Sequence, residues 1–246
     1  MKSRGEVLNA KERTIVIGVL VAFAAFGAWL NGFNPSHMSF VCQEDGFVEY
    51  SQFFLYLFAG ALFAYVGAHK GFRNIWYLGY AALFLLVAGE EVSWGQRIFN
   101  EMTPPALDTI NVQHEMNLHN LNGVHQHHHL YAMLVCSAIC YVVPLTDRFV
   151  PTMRNLYRRF NMPIFPSWLV TLPVIGFAFM FGARLHSGAD FRLDEMAELY
   201  LGMGFFGFAL TAYRQASAAF ETRSELPPSP EGSAELAVPH GFAASR

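Results

Sequence analysis

The sequence predicts an all-α, polytopic transmembrane helix bundle of about six spans with both termini cytoplasmic, and three observations carry that prediction. Apolar residues make up 53% of the 246 positions and charged residues only 14%, against roughly 25% in a soluble domain. That is too little charge to clothe a water-facing surface. The apolar residues gather into six runs, near 14–30, 47–68, 75–89, 130–145, 164–181 and 196–213, each close to the ~20 residues that cross ~30 Å of hydrocarbon. Lys and Arg are also distributed unevenly. The leader 1–13 (Lys2, Arg4, Lys11, Arg13), the Lys70/Arg73 turn, the loop with Arg148, Arg154, Arg158 and Arg159, and Arg214 fall on one side. Only Arg97, Arg184 and Arg192 fall on the other, so the first set is expected in the cytoplasm.

The first run exceeds a signal-peptide core and no small-x-small site follows Leu30, so it reads as a retained anchor. The second and third runs are the least ambiguous spans. In the fourth, Cys136 and Cys140 stand four apart on one face and read as small apolar residues. With Cys42 the cysteines number three, which offers no disulfide framework. The fifth run contains Pro173 and follows Pro163 and Pro166, which predicts a kink. The sixth leads into a tail, 214–246, rich in Pro, Ser and Glu and expected to be a disordered cytoplasmic segment. Together the runs define a transmembrane domain over 14–213 with a polar outer loop at 90–129. The expected location is the bacterial cytoplasmic (inner) membrane, with that loop facing the periplasmic side. The bilayer is the expected partner, and a net charge of -3 gives no reason to expect nucleic acid.

The polar residues are as lopsided as the basic ones. Glu44, Asp45, Glu49, Glu90, Glu91, Glu101, Asp108, Glu115, Asp190, Asp194, Glu195 and Glu198, 12 of the 19 acids, fall on the outer side. So do His37, His114, His119, His125, His127, His128, His129 and His186, 8 of the 10 histidines. Ionisable groups at membrane depth are costly and usually face a bundle interior or a wet cavity, so the outer half is where a site is expected.

Four segments supply candidates. Asp45, Glu49, Gln52 and Tyr56, at spacings of four, three and four, form one polar stripe entering the second span; a solvated helix end explains Asp45 better than Glu49 or Gln52. In GEEVSWGQR (89–97), a continuing helix would put Glu90, Ser93, Trp94 and Arg97 on one face, with Glu91 turned away. The plain alternative there is a structural Glu90–Arg97 pair under an interfacial Trp94. The third segment is NVQHEMNLHN (111–120) followed by HQHHH (125–129). It lacks the HExxH signature, and His114 and His119 lie ~140° apart on a helix. On a helix Glu115 would share a face with His119, and His125 with His128 and His129. Imidazoles one turn apart beside carboxylates suit a first-row metal; a solvated His-rich loop is the alternative. The fourth segment holds Asp190, Asp194, Glu195 and Glu198. Asp190 and Asp194 read as a solvated helix start, with Glu198 deeper. So many carboxylates need a cation or protons to neutralise them if they converge.

At GEEVSWGQ (89–96) and NLHN (117–120) the chain resembles a family of bacterial multi-pass membrane proteins with a Gly-Glu-Glu-x-Ser-Trp-Gly-Gln run followed by Asn-Leu-His-Asn. The family has no assigned activity, and the resemblance draws attention to Glu90, Glu91, Gln96, His119 and Asn120. The chemistry is similar to that of membrane zinc hydrolases of the alkaline ceramidase type, whose motifs do not align with this chain residue by residue. The run His125-x-His127-His128 is one residue short of the HxxHH box of membrane di-iron desaturases.

Three functions compete. In a metal-dependent hydrolase acting on a lipid or lipid-linked substrate, zinc or iron ligands would come from Glu49, Glu115, His119, His125, His128 and Glu198. Glu90 or Glu91 would be the general base and Arg97 part of the catalytic set, with Gln52, Gln96, Asn120 and Glu195 as further polar candidates. In a small proton- or cation-coupled transporter the same acids would carry the ion, although no repeat between the halves supports this. In a membrane scaffold or assembly factor the polar cluster would only lock helices together.

Overall fold

The computed structural model describes residues 8–70, 74–185 and 190–224, without the side chains of Lys70 and of 219–224. Lys2, Arg4, Arg73, His186 and the tail from 225 lie outside the described residues.

The regular structure described is helical, apart from one isolated antiparallel bridge between Asn111 and Leu121. The elements are α1 (Ala10–Phe33), α2 (Pro35–Val41), α3 (Phe47–Lys70), α4 (Ile75–Glu91), α5 (Gln96–Phe99), α6 (Pro105–Asp108), α7 (His128–Phe149), α8 (Pro151–Arg159), α9 (Thr171–Leu185) and α10 (Phe191–Ser224). A capping box starts α1: Asn9 accepts from the Glu12 amide at 3.0 Å and the Glu12 carboxylate accepts from the Asn9 amide at 2.8 Å, satisfying two donors that a helix start leaves open. A π turn over Ala138–Val142 interrupts α7 without breaking it.

Helices α4, α3, α10 and α9 pack side by side in that order, and α1 rests on α9 and α10. Phenylalanines fill the seams. Phe63 meets Phe208 at 5.1 Å between ring centroids, Phe84 meets Phe205 at 4.9 Å and Phe165 meets Phe208 at 5.4 Å. Tilted aromatic pairs of this kind add roughly 0.5–1.5 kcal/mol beyond burial. Glycines set the closest approaches: a Cβ on Gly60 would meet Leu85 at 2.7 Å, and one on Gly176 would meet the Ala197 carbonyl oxygen at 3.0 Å. Small residues serve this purpose where helices associate in lipid. Cys136 and Cys140 are buried thiols, as expected of small apolar residues.

By length and composition four helical stretches can cross a membrane: 10–33, 47–69, 128–149 and 167–185. A fifth is possible if Ile75–Glu91 and Ser93–Phe99, bent by 65°, form one broken span. These helices are compatible with an integral membrane protein. The expected sixth span, 196–213, lies inside α10, which is not among them. Helix α10 is surrounded by α1, α3 and α9, so it presents little surface to lipid and tolerates Glu198 and a run of glycines.

Four local expectations are corrected. Pro173 falls in the first turn of α9, where no intrahelical bond is lost, so it causes no kink. The 111–120 segment is a loop rather than a helix, which removes the shared face of Glu115 and His119. Helix α4 ends at Glu91, so Glu90, Ser93, Trp94 and Arg97 do not form one stripe. Asp190 is buried, not solvated: it accepts from Arg192 Nε at 2.8 Å and from Asn31 Nδ2 at 3.0 Å.

Candidate functional site

The chemistry gathers where α3, α4, α7, α9 and α10 meet the 92–127 connection. Ser93, Trp94 and Gly95 have φ of 45°, 55° and 83°. Three left-handed residues in a row end α4 and reverse the chain; only the last is a glycine, for which such a φ carries no steric cost. Side-chain contacts hold the other two in place. The Trp94 indole folds back onto Gly89, where a Cβ would sit 2.9 Å from the ring, and its Nε1 donates to Glu90 Oε1 at 2.8 Å. Ser93 Oγ donates to Glu115 Oε2 at 2.8 Å and accepts from Asn117 Nδ2 at 3.1 Å.

These contacts join the two motifs. Glu90 Oε2 accepts from the Leu118 amide at 2.6 Å and the His119 amide at 3.0 Å, and Gln96 Oε1 accepts from the Met116 amide at 2.6 Å. Asn111 closes the loop beneath, donating to the Asn117 carbonyl at 2.9 Å and accepting from the Gln113 and Glu115 amides. Asn120 donates to Gln113 Oε1 at 2.6 Å. Every polar side chain of 89–96 except Glu91 is therefore occupied in building this clamp.

Arg97 is the second anchor. Its guanidinium donates to Asp45 at 2.9 Å, Glu49 at 2.5 Å and Glu115 at 2.7 Å, while Glu49 also accepts from the Asp45 amide at the start of α3. The anticipated Glu90–Arg97 pair is replaced by this three-acid arrangement, which ties the α3 N-terminus to the clamp.

Beside the clamp lies a cavity of about 830 Å³. Its polar end holds Glu91 from α4, Asp194, Glu195 and Glu198 from α10, and His119, His125, His128 and His129. Its floor is apolar, including Tyr56, Phe84, Val135, Leu201 and Phe205. Gln52 is wholly buried and donates to the Glu195 carbonyl at 2.8 Å and to Glu195 Oε2 at 3.1 Å. Asp194 accepts from Arg184 at 2.8 Å. Among the described residues, the carboxylates of Glu91 and Glu198 accept no hydrogen bond and form no ion pair.

The histidines follow a common pattern. Nδ1 of His119 lies 3.3 Å from Glu90 Oε2, Nδ1 of His125 3.0 Å from Asn120 Oδ1, and Nδ1 of His128 2.5 Å from the His125 carbonyl. Each ring is thus oriented through Nδ1, leaving Nε2 without a hydrogen-bond partner among the described residues. Ring centroids are 6.1 Å apart for His119–His128 and 5.4 Å for His125–His128. In this arrangement no three His, Cys, Asp or Glu donors among the described residues close on one point at metal-ligand distances.

Of the sequence candidates, the cavity brings together Glu91, Glu195, Glu198, His119, His125 and His128, with Glu49, Glu90, Arg97, Glu115 and Asn120 also in its lining. Glu90, Gln96, Asn120 and Glu115 serve the clamp, Glu49 serves Arg97, and Gln52 positions Glu195. The sequence puts His129 on one face with His125 and His128 and Arg184 on the outer side, but neither is among the expected site residues. The His129 ring lies 3.7 Å from that of His128, with Nε2 3.8 Å from Asp194 and a buried Nδ1 that has no hydrogen-bond partner.

Fold and cavity together define a helical protein of the membrane type with an acid- and imidazole-lined chamber at one end. The chain matches no protein-family model, no curated protein and no solved structure.

Proposed function

We propose that this chain is a metal-dependent hydrolase of the bacterial inner membrane, with six spans, cytoplasmic termini and its chamber on the periplasmic side, acting on a lipid or lipid-linked substrate. The observation that carries the reading is the set of three imidazoles, His119, His125 and His128, each oriented through Nδ1 with Nε2 free. Partners of this kind at the second ring nitrogen are the usual support of metal-binding histidines. Zn–N distances of ~2.0–2.1 Å bring two coordinated imidazole centroids to about 5 Å, close to the 5.4 Å and 6.1 Å separations here, so ring rotation rather than backbone movement would bring the donors together. The excess of basic residues on the opposite loops supports the orientation. The resemblance of GEEVSWGQ and NLHN to the bacterial multi-pass family belongs to the same proposal, those motifs being the clamp that holds His119 in place.

A divalent cation there would act as a Lewis acid and bring the pKa of a bound water to about 7. Glu91 is the base of the set, because its carboxylate is unoccupied and faces the chamber, while Glu90 is committed to two backbone amides and an indole. The test is metal content of the detergent-purified chain. Wild type and Glu91→Gln should carry about one zinc or iron per chain, and His119→Ala and His128→Ala should lose most of it. Metal-free wild-type protein, after growth and purification without chelator, would overturn the reading.

The unpaired Glu91 and Glu198 carboxylates favour a second reading, a proton- or cation-coupled carrier. Uptake by liposomes that follows a pH gradient, in protein free of metal, would select it.

A further inference from the structure

Leu86 of α4 and Val135 of α7 both line the chamber and are 43% and 45% exposed. Tyr131, one turn before Val135, also lines it and is half exposed. Helix α7 meets α9 through Tyr141 and Phe177, whose ring centroids are 5.9 Å apart, more than one turn beyond Val135. Along α4 and α7 the lining of the apolar floor is therefore also exposed surface. That floor runs well below the polar end: Phe205 lies seven residues beyond Glu198 on α10, about 10 Å along a helix.

The charge at the polar end is one-sided. Arg97 is taken up by Asp45, Glu49 and Glu115, and Arg184 by Asp194. No cation among the described residues forms an ion pair with Glu195 or Glu198, and Glu195 has only the neutral Gln52 amide. A low-dielectric chamber with uncompensated carboxylates attracts cations and rejects anions.

We infer that the chamber is filled from the bilayer between α4 and α7, by the hydrocarbon tail of an amphiphile whose headgroup is positively charged and settles against Glu195 and Glu198. This deepens the hydrolase reading by naming the substrate class, and it rests on that reading for the claim that the occupant is a substrate. The tail takes the apolar floor, which is where burial of CH₂ groups contributes most, and the headgroup supplies the missing cation.

The test uses the full chain in phosphatidylcholine vesicles. Three photoactivatable probes share one long alkyl tail with a diazirine in it and differ in headgroup: trimethylammonium, hydroxyl or sulfate. The ammonium probe should label α4 and α7 peptides about tenfold more than the sulfate probe, the factor that one modest charge interaction gives. Leu86→Trp with Val135→Trp should cut labelling several-fold, whereas Leu134→Trp, on the outer face of α7, should not. Glu198→Gln should bring the ammonium probe down to the level of the hydroxyl probe, whose own labelling reports an intact chamber. Equal labelling of wild type by the three probes, or no effect of the paired tryptophans, would overturn the inference. Labelling is run beside metal analysis of the same sample. Ammonium preference in metal-free protein would sink the hydrolase and leave this inference standing; bound metal without the preference would do the reverse.

Discussion

Glu90 and His119 meet twice: the Glu90 carboxylate accepts from the His119 amide at 3.0 Å, and the same oxygen lies 3.3 Å from His119 Nδ1. With the Leu118 amide and the Trp94 indole, that carboxylate fixes the course of the loop and the tilt of the imidazole. Its neighbour Glu91 has no such work. The two adjacent glutamates should therefore separate cleanly by substitution. Glu90→Ala leaves two backbone amides and an indole N–H without an acceptor, and should lower stability by about 3 kcal/mol. Glu91→Ala removes a carboxylate that accepts no hydrogen bond among the described residues, and should leave stability unchanged or raise it by about 1 kcal/mol. Thermal unfolding of the purified variants in one detergent measures both; the opposite order would mean that Glu91 holds the fold.

Arg97 gathers three carboxylates of unequal exposure. Asp45 is 46% exposed at its side chain, Glu49 13% and Glu115 15%. Solvent screens the first pair far more than the others, and exposed pairs contribute at most about 1 kcal/mol. Double-mutant cycles pairing Arg97→Ala with Asp45→Asn, Glu49→Gln and Glu115→Gln should give coupling energies of about 1–3 kcal/mol for the two shielded acids. The Asp45 cycle should fall below both. A coupling for Asp45 equal to the other two would show that the cluster acts as a single surface network.

The helices were legible in the sequence because hydropathy alone determines what can lie in lipid. The last helix was the exception in kind: packed among its neighbours, it needs little lipophilicity, and its run at 196–213 is diluted by Glu198 and glycines. That acids and histidines of separate segments gather in one place was also legible, and they do line one cavity. The clamp was not. It depends on left-handed backbone at Ser93 and Trp94, for which only Gly95 gave a hint, and a helical reading of GEEVSWGQR assigned Glu90 the wrong partner. The division of labour between Glu90 and Glu91 follows from where α4 stops, which no spacing rule reveals.

Asp190 illustrates the same limit and yields a pH prediction. Its hydrogen bond from Arg192 outweighs burial and, with help from Asn31, holds its carboxyl below the usual carboxylate range. A depressed pKa contributes stability above the unfolded-state value, about 3.9, and that contribution is lost as the pH falls through the folded value. The gap in unfolding temperature between wild type and Asp190→Asn should therefore be constant from neutral pH down to about pH 5, where both states are ionised. Below that it should shrink steadily. A gap that persists undiminished into strong acid would mean that the Asn31 and Arg192 contacts do not depend on the charge.

Gly89 opens the first motif, and the folded-back indole gives it a reason. A Cβ there would stand 2.9 Å from two ring carbons of Trp94, so Gly89→Ala must push the indole outward or move the end of α4. Either way Trp94 Nε1 leaves Glu90, and the Ser93–Gly95 reversal loses one of its two side-chain supports. Overpacking of this kind costs about 1–3 kcal/mol, against a gain of about 1 kcal/mol from replacing a helical glycine by alanine, so the variant should be less stable than wild type. Trp94→Phe keeps the ring on Gly89 while removing the indole donor, and should lose only about 1 kcal/mol. The double variant Gly89→Ala/Trp94→Ala removes the clash along with the ring. It should be no less stable than Trp94→Ala alone, because the three nearest atoms to the added methyl all belong to the indole and the helix gain remains. If Gly89→Ala is equally damaging with and without the indole, the glycine answers to some other contact than Trp94.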